Sequence, residues 1–103
     1  MKLKDLRPGM EHVDIQVRLV GLEEPREVET NYGVTHVLVD GQVEDDSGKM
    51  ELTVWNEKTE QLNRIKLGDI VELKDCFITS FKGTLSINVG RDSEIVPPVS
   101  TSS

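Results

Sequence analysis

The fold is decided by one turn and the strand that follows it, Asp45-Asp46-Ser47-Gly48-Lys49-Met50-Glu51-Leu52-Thr53-Val54-Trp55. Tight turns favour Asp, Ser and Gly, because short polar side chains hydrogen-bond the local backbone and glycine adopts unusual dihedral angles. From Lys49 onward polar and apolar residues alternate, which predicts a half-buried strand with Met50, Leu52 and Val54 facing inward. The largest side chain of the protein, Trp55, is then expected to point away from the core.

Similar alternation on both sides of this segment predicts an all-β chain. The sequence contains no alanine and is rich in Val, Ile and Thr, which disfavours long helices and favours strands. One short helix is expected at Glu57–Ile65, with Asn56 as its cap. The other strands are predicted at His12–Leu19, Val34–Val43, Ile70–Phe81 and Thr84–Val89, with Arg26–Thr30 as an extension of the first.

Two irregularities and the end of the chain complete the predicted architecture. The inward-facing set changes phase near Lys74-Asp75, which predicts a β-bulge, and Gly41 is a second site for a bulge or bend. Arg91–Ser103 is expected to leave the sheet as a tail. Five strands with one short helix between the third and the fourth are the element order of an OB-fold, a five-stranded Greek-key barrel. The predicted domain spans residues 1–96, and residues 97–103 form a short flexible C-terminal tail.

Length and composition fit one globular domain, since 36% of the 103 residues are hydrophobic and 30% are charged. No apolar run is long enough for a membrane span, and residues 1–5 lack the apolar core of a secretory signal. We expect an intracellular, cytoplasmic and nucleoid-associated protein that is a monomer as an isolated domain. The single cysteine, Cys76, excludes an intramolecular disulfide and a zinc-binding cysteine cluster, and it is expected to be a small buried hydrophobe.

Catalysis and metal binding find no support in the sequence. His12 and His36 lie far apart, without the spacing of a metal site or a catalytic triad. The acidic run Glu44-Asp45-Asp46 is expected to be a solvated turn rather than a cation site. The glycines are scattered and form no phosphate-binding loop. We therefore predict no catalytic residue, no metal and no cofactor, in a protein that is not an enzyme.

The positions of the four aromatic residues indicate nucleic-acid binding. Trp55, Phe77 and Phe81 are predicted on the outward face of the sheet, and Tyr32 lies in the loop before the second strand. Unpaired bases stack on exposed rings while nearby cations contact the phosphates. The pattern alone leaves two roles open for the three outward rings, a stacking platform or a cover for the core, and Tyr32 is also interpretable as a loop anchor. The candidate cations and hydrogen-bonding residues around them are Lys49, Lys74, Lys82, Arg26, Arg91, Thr53, Thr79, Ser86 and Asn88.

Four motifs resemble the simple single-OB single-stranded-DNA-binding proteins, the crenarchaeal type and its eukaryotic relatives in the sensor-of-single-strand complex. The motifs are Leu6-Arg7-Pro8-Gly9-Met10, the turn and strand Asp46–Trp55, the pair Gly68-Asp69, and the hairpin Ser80-Phe81-Lys82-Gly83, and the resemblance extends from about Leu3 to Ile95. It implies base stacking on Trp55, Phe77 and Phe81, a backbone contact for Lys82 and a basic role for Arg26. It also implies a role in DNA replication and repair, with a C-terminal tail that recruits partner proteins.

Two features of the sequence depart from that family. The loop at residues 30–36 is less basic than its counterparts, and Pro97–Ser103 is shorter and more neutral than the usual recruitment tail. The net charge of −7 opposes a general electrostatic attraction to phosphates. It favours a rival interpretation, an OB domain that acts as a protein-interaction module within a larger replication-protein-A-like complex. Single-stranded RNA is a further alternative ligand, because stacking does not distinguish the sugar.

Overall fold

The computed structural model describes residues 1–97 and contains seven strands. A 3-10 turn at Leu3–Asp5 precedes the first strand, and a longer 3-10 helix, Asn56–Arg64, connects the fourth strand to the fifth. The strands are β1 (Val13–Leu22), β2 (Arg26–Glu29), β3 (Thr35–Asp45), β4 (Gly48–Trp55), β5 (Ile70–Phe81), β6 (Thr84–Val89) and β7 (Glu94–Val96).

Five of these strands close into a barrel in the order β1-β3-β4-β6-β5, and β5 pairs with β1 to complete the circle. The β4 and β6 strands run parallel, whereas the other neighbours are antiparallel. This closed five-stranded barrel with one short helix after its third strand confirms the predicted OB-fold class. Each barrel strand pairs with a neighbour on both sides, and the outer face of the barrel is available for a ligand.

The two additional strands correct two expectations. Arg26–Glu29 does not extend β1; it forms the separate strand β2, which pairs with residues 35–38 of β3 after Pro25 interrupts the chain. The chain does not leave the sheet at Arg91 either, because β7 pairs with residues 72–74 of β5. Six of the seven residues of the predicted flexible tail, 98–103, lie outside the described part of the chain.

The barrel interior is filled by the aliphatic side chains that the alternation had placed inward. Val13, Ile15, Val17 and Leu19 of β1 are at most 3% exposed. Most inward residues of the other strands are also buried, but Met50 of β4 and Leu85 of β6 are only partly buried against this cluster. Cys76 is fully buried in this cluster, as predicted. Leu3 and Leu6 close one part of the core from the N-terminal segment. The core is therefore made without any of the four aromatic residues, which leaves those rings outside the barrel.

The predicted bulge in β5 is confirmed. Ile15 of β1 lies opposite Leu73, and the next inward residue of β1, Val13, lies opposite Cys76, so β5 carries one extra residue there. Asp75 absorbs it in a left-handed conformation with φ 52°. Gly41 itself carries no extra residue, since its pairing with β4 is regular, and the irregularity on its other side lies in β1 between Leu19 and Gly21. It is instead a point of close strand approach, because an added Cβ would lie 2.5 Å from the carbonyl oxygen of Gly21.

The predicted short helix is confirmed and is a 3-10 helix, but its predicted cap needs correction. Asn56 does not cap it, because the capping position belongs to Trp55. Asn56 has φ 50°, and its carboxamide oxygen accepts the Val37 N–H at 3.1 Å, across to β3. Its side chain is thus used to join the end of β4 to β3.

The acidic turn between β3 and β4 fastens the N-terminal segment to the barrel. The carboxylate of Asp45 accepts the Leu3 N–H at 2.8 Å, and the Ser47 hydroxyl accepts the Lys4 N–H at 3.1 Å. Lys2 forms an ion pair with Asp46. Burial raises the pKa of Asp45, but the hydrogen bonds from Ser47 and from the backbone outweigh it, and the pKa lies below its ordinary value. The turn is a structural junction.

Candidate nucleic-acid interface

The outer face of β3, β4, β6 and β5 carries the outward residues of four adjacent strands in aligned rows. The strand register places Asp40 beside Thr53, Thr53 beside Asn88, and Asn88 beside Phe77. The next row consists of Gln42, Glu51, Ser86 and Thr79. We call this surface the platform face. It is the position at which OB-folds commonly bind oligonucleotides, on the second and third barrel strands.

Asn88 lies at the centre of the platform face and is only 3% exposed. Its amide nitrogen donates to the carbonyl oxygens of Phe77 and Ser86 and to the Thr79 hydroxyl, while its oxygen accepts the indole N–H of Trp55 at 3.2 Å. The prediction that Asn88 faces solvent to contact bases is therefore wrong. Its polar atoms are all engaged beneath the surface, where they hold Trp55 and Phe77 on either side of it.

Trp55 and Phe77 are both half-buried, so each ring has one side supported by protein. Phe77 lies over Gly90, because a Cβ on that glycine would come within 2.9 Å of the ring. Trp55 pairs across the sheet with Leu38, which is 3% exposed but is not part of the barrel core. The ring of His36 meets Trp55 edge-on at a centroid distance of 5.8 Å. These contacts support the two rings on β4 and β5, the strands that flank β6.

Phe81 marks the other end of the platform face, four residues and roughly 13 Å along β5 from Phe77. It is 74% exposed, and the ammonium of Lys82 lies 5.4 Å from the centre of its ring. Lys82 is the first residue of a two-residue hairpin turn and has φ 51°, a conformation in which Asn or Gly is far commoner than Lys. Lys49 lies nearby on β4, beside a cavity that Thr84 and Leu85 of β6 also line.

The remaining predicted residues lie around the platform face or point away from it. Thr79 and Thr53 are on the face, and the Thr53 hydroxyl donates to Asp40 at 3.3 Å. Arg91 borders a cavity beside Phe77. Tyr32 is 93% exposed at the tip of the β2–β3 hairpin, away from the rows of the face. Lys74 lies beyond the bulge and is 3.7 Å from Glu72. The structure thus gathers most of the predicted set and leaves Tyr32 and Lys74 apart.

Negative charges share the platform face with these cations. The Nε of Arg26 donates to a carboxylate oxygen of Asp40 at 2.6 Å, and its hydrogen bond to Asp40 raises the pKa of Arg26. Glu51 occupies the next row and accepts from the Gln42 amide at 3.2 Å. The cations of this face are therefore local and partly neutralised, in agreement with the acidic composition of the chain.

Within residues 1–97 no group of three or more potential metal ligands is found, and no helix is long and apolar enough to span a membrane. His12 is exposed and lies 3.1 Å from Asp75. Burial raises the pKa of the Cys76 thiol to about 12.

Comparison with known proteins assigns the family. Residues 34–95 match the family described as OB-fold nucleic acid binding domain. The chain belongs to this family. The OB domain is 32% identical over 94 residues to the single-stranded DNA binding protein Ssb of Saccharolobus solfataricus, a match that covers 91% of the chain and 61% of that protein. It is 30% identical over 89 residues to replication factor A of Methanothermobacter thermautotrophicus, covering 86% of the chain and 11% of that protein. The OB domain thus spans less than two thirds of either relative.

Solved structures agree on the fold of this OB domain. The replication factor A related protein from Methanobacterium thermoautotrophicum superposes with a TM-score of 0.81 at 23% identity, covering 95% of the chain and 89% of that structure. A chain of a replication protein A heterotrimer bound to single-stranded DNA gives a TM-score of 0.77 at 15% identity, covering 97% of the chain and 25% of that structure. The resemblance inferred from the sequence motifs is confirmed at the level of fold and family.

Three residues of the OB domain interface were missed by the sequence analysis. Leu38 and His36 support Trp55 from β3, and Gly90 supports Phe77. Leu38 and His36 were missed because the sequence analysis placed no residue before Val39 in β3 on the binding face. The sequence signal for Gly90 is its position one residue after Val89, the last inward residue of β6. A side chain at this position would collide with the ring of Phe77.

Proposed function

We propose that this OB domain binds single-stranded DNA across the platform face with little sequence preference. The observation that carries the proposal is the placement of two rings on the strands that flank β6: the buried amide of Asn88 accepts the indole N–H of Trp55, and the ring of Phe77 lies over Gly90. Rings fixed in this way lose little conformational freedom when bases stack on them, so more of the stacking free energy remains as affinity. The two relatives named as single-stranded-DNA-binding and replication proteins support the same ligand.

The phosphates of the bound strand would be contacted by four cations at the margins of the face: Lys82, Lys49, Arg91 and Arg26. The left-handed backbone of Lys82 supports its part in this role, because a residue other than Gly, Asn or Asp costs about 1 kcal/mol or more there. Such strain is retained where the surrounding structure compensates and is concentrated at functional positions. Thr53 and Thr79 are the proposed hydrogen-bonding partners on the face itself, whereas Asn88 acts by positioning the rings.

The first test is a titration with a short oligothymidine followed by the fluorescence of Trp55, the single tryptophan of the chain, at low and at moderate salt. Stacking of a base on the indole is expected to quench its emission. Binding to phosphates releases counterions, so affinity should fall with salt with a slope of about −0.7 per phosphate contacted. An oligothymidine that binds by anisotropy without changing Trp55 emission would contradict the role of this ring.

Alanine substitution of Phe77 or Phe81 tests the other rings. Loss of one stacked base is worth roughly 1–3 kcal/mol, which corresponds to about 5- to 150-fold weaker binding. Leu67→Ala is the matched control, because Leu67 is 60% exposed in the loop before β5, away from the platform face. Equal affinity of the Phe77→Ala variant, the Leu67→Ala variant and the parent would contradict the proposal.

Lys82 is tested by replacement with asparagine, which tolerates the left-handed backbone of the turn and removes the ammonium together with its contact to Phe81. The expected result is weaker binding and a salt dependence shallower by about 0.7, the share of one phosphate contact. Lys66→Asn is the control for loss of one exposed lysine, since Lys66 lies in the loop before β5. The same salt slope in the Lys82→Asn variant and the parent would remove Lys82 from the interface.

A protein-interaction module is the second candidate function, favoured by the net charge of −7 and by Asp40 and Glu51 on the platform face. In that case the rings would fill apolar pockets of a partner in a replication-protein-A-like complex. The salt titration separates the two, because burial of apolar surface is far less sensitive to salt than phosphate binding. Failure of oligothymidine to bind even at low salt would favour the partner.

We further propose a non-enzymatic role in DNA replication and repair, in the cytoplasm with the nucleoid, as a monomeric domain at residues 1–96. Oligouridine titrated beside oligothymidine tests RNA as the alternative ligand. Equal affinities would mean that the face does not distinguish the two sugars, and tighter binding of oligouridine would make RNA the preferred ligand.

A further inference from the structure

The most constrained cation of the platform face is Arg26, which begins β2. Its guanidinium contacts both oxygens of Asp40, with Nε at 2.6 Å from one and Nη2 at 3.4 Å from the other. The same carboxylate accepts the Thr53 hydroxyl at 3.3 Å. Asp40 is therefore held from two sides, by a residue of β2 and by a residue of β4.

Asp40 occupies a central place on the surface assigned to the ligand. It starts the row that continues through Thr53 and Asn88 to Phe77, and it is two residues from Leu38, the cross-strand partner of Trp55. The Asp40 side chain is 26% exposed and the Arg26 side chain 53% exposed. A strand that stacks on Trp55 would bring its phosphates close to this pair, where an anion meets one carboxylate and one guanidinium that is already engaged.

We propose that Asp40 limits the affinity of the platform face for single-stranded nucleic acid by engaging Arg26 in competition with a phosphate. The inference rests on the proposed function, because it concerns the same face. Guanidinium binds carboxylate and phosphate in the same planar, two-point manner, so one can replace the other on Arg26. The carboxylate left behind would still repel the strand. Two effects thus weaken a phosphate contact at Arg26: the ion pair with Asp40 must be broken, and the Asp40 carboxylate still repels the phosphate.

The test compares the parent with Asp40→Asn, Arg26→Ala and the double variant in oligothymidine titrations at several salt concentrations. Asparagine keeps the size of the side chain and an oxygen for Thr53, and it releases Arg26. We expect binding to tighten by about 3- to 10-fold in the Asp40→Asn variant, the size of one partly screened charge interaction. The salt dependence should become steeper by about 0.7, since one more phosphate is neutralised.

Glu27→Gln provides the matched control, because it removes the same charge one residue from Arg26 on the opposite face of β2. Its affinity should stay within about twofold of the parent. In the Arg26→Ala background the Asp40→Asn substitution should tighten binding less and leave the salt slope unchanged. The circular dichroism spectrum and thermal midpoint of each variant confirm that the barrel is folded.

The outcomes separate the inference from the proposed function. If the parent binds oligothymidine and the Asp40→Asn variant binds with the same or a lower affinity, the inference alone is overturned. An equal gain in the Glu27→Gln variant also overturns it, because general charge would then be the cause. Failure of both the parent and the Asp40→Asn variant to bind at low salt overturns the proposed function and the inference with it.

Discussion

Replacement of Asn88 by alanine is the sharpest test of how the platform face is built. Asn88 donates to the Phe77 carbonyl at 3.3 Å and accepts the Trp55 indole N–H at 3.2 Å, and it is 3% exposed. Alanine removes both bonds and leaves the carbonyl and the indole N–H without these partners in a poorly hydrated place. The two amide hydrogens are shared among three acceptors, because the Thr79 hydroxyl at 3.0 Å and the Ser86 carbonyl at 3.2 Å also accept from this nitrogen.

The expected cost follows from those two bonds. Each neutral hydrogen bond contributes a net ~1 kcal/mol, and a buried polar group left without a partner costs about 1–3 kcal/mol. We therefore expect the free energy of unfolding to fall by about 2–3 kcal/mol. Urea denaturation followed by circular dichroism measures it, and with a dependence of about 1–3 kcal/mol per molar the midpoint should fall by roughly 1–2 M.

A double-mutant cycle isolates the contact to the indole. Trp55→Phe keeps an aromatic ring and removes the N–H, so the coupling between Trp55→Phe and Asn88→Ala should be about 1 kcal/mol. Ser86→Ala is the control on the same strand and should change stability by less than about 0.5 kcal/mol. A loss below about 1 kcal/mol in the Asn88→Ala variant, or no coupling with Trp55, would refute the view that this amide fixes the rings.

Three further predictions follow from single sites. Gly90→Ala places a Cβ 2.9 Å from the Phe77 ring, so oligothymidine affinity should fall several-fold in a titration while the free energy of unfolding changes by about 1 kcal/mol or less. Asp45 has a lowered pKa, so its contribution to stability is present above the ordinary value of 3.8 and is lost as pH falls through the folded value. The difference in free energy of unfolding between the parent and the Asp45→Asn variant should thus become smaller when urea denaturation is repeated at decreasing pH, and a constant difference would contradict this. Cys76, with burial raising its pKa to about 12, should react with a thiol reagent at pH 8 only as fast as the barrel opens, and immediate labelling of the native protein would contradict its burial.

The candidate site could be predicted in part, because alternation along one strand reports which side of that strand is buried. Trp55, Phe77 and Phe81 were placed outward from their parity alone, and the structure puts all three outside the barrel. Asn88 has the same parity but a different environment. Its burial depends on rings that arrive from β4 and β5, and no pattern within β6 records their approach.

The five-stranded barrel could be predicted from local patterns along the chain. Period-two alternation, turn residues at Asp46–Gly48 and Lys82-Gly83, and a phase change at Asp75 are local signals, and each acts within a few residues of the chain. Strands of this kind can bury their apolar faces together in few ways, so the five-stranded fold followed from them.

The contacts between side chains of different strands depend on the tertiary structure. The pairing of Arg26 with Asp40, the support of Phe77 by Gly90 and the seating of Trp55 on Asn88 join residues 13 to 33 positions apart. Such contacts depend on strand register and on the twist of the closed barrel, which a single strand cannot encode. The strand β7 is a further case, because Ile95 and Val96 favour strands but three residues are too few to predict one without their pairing with residues 72–74 of β5.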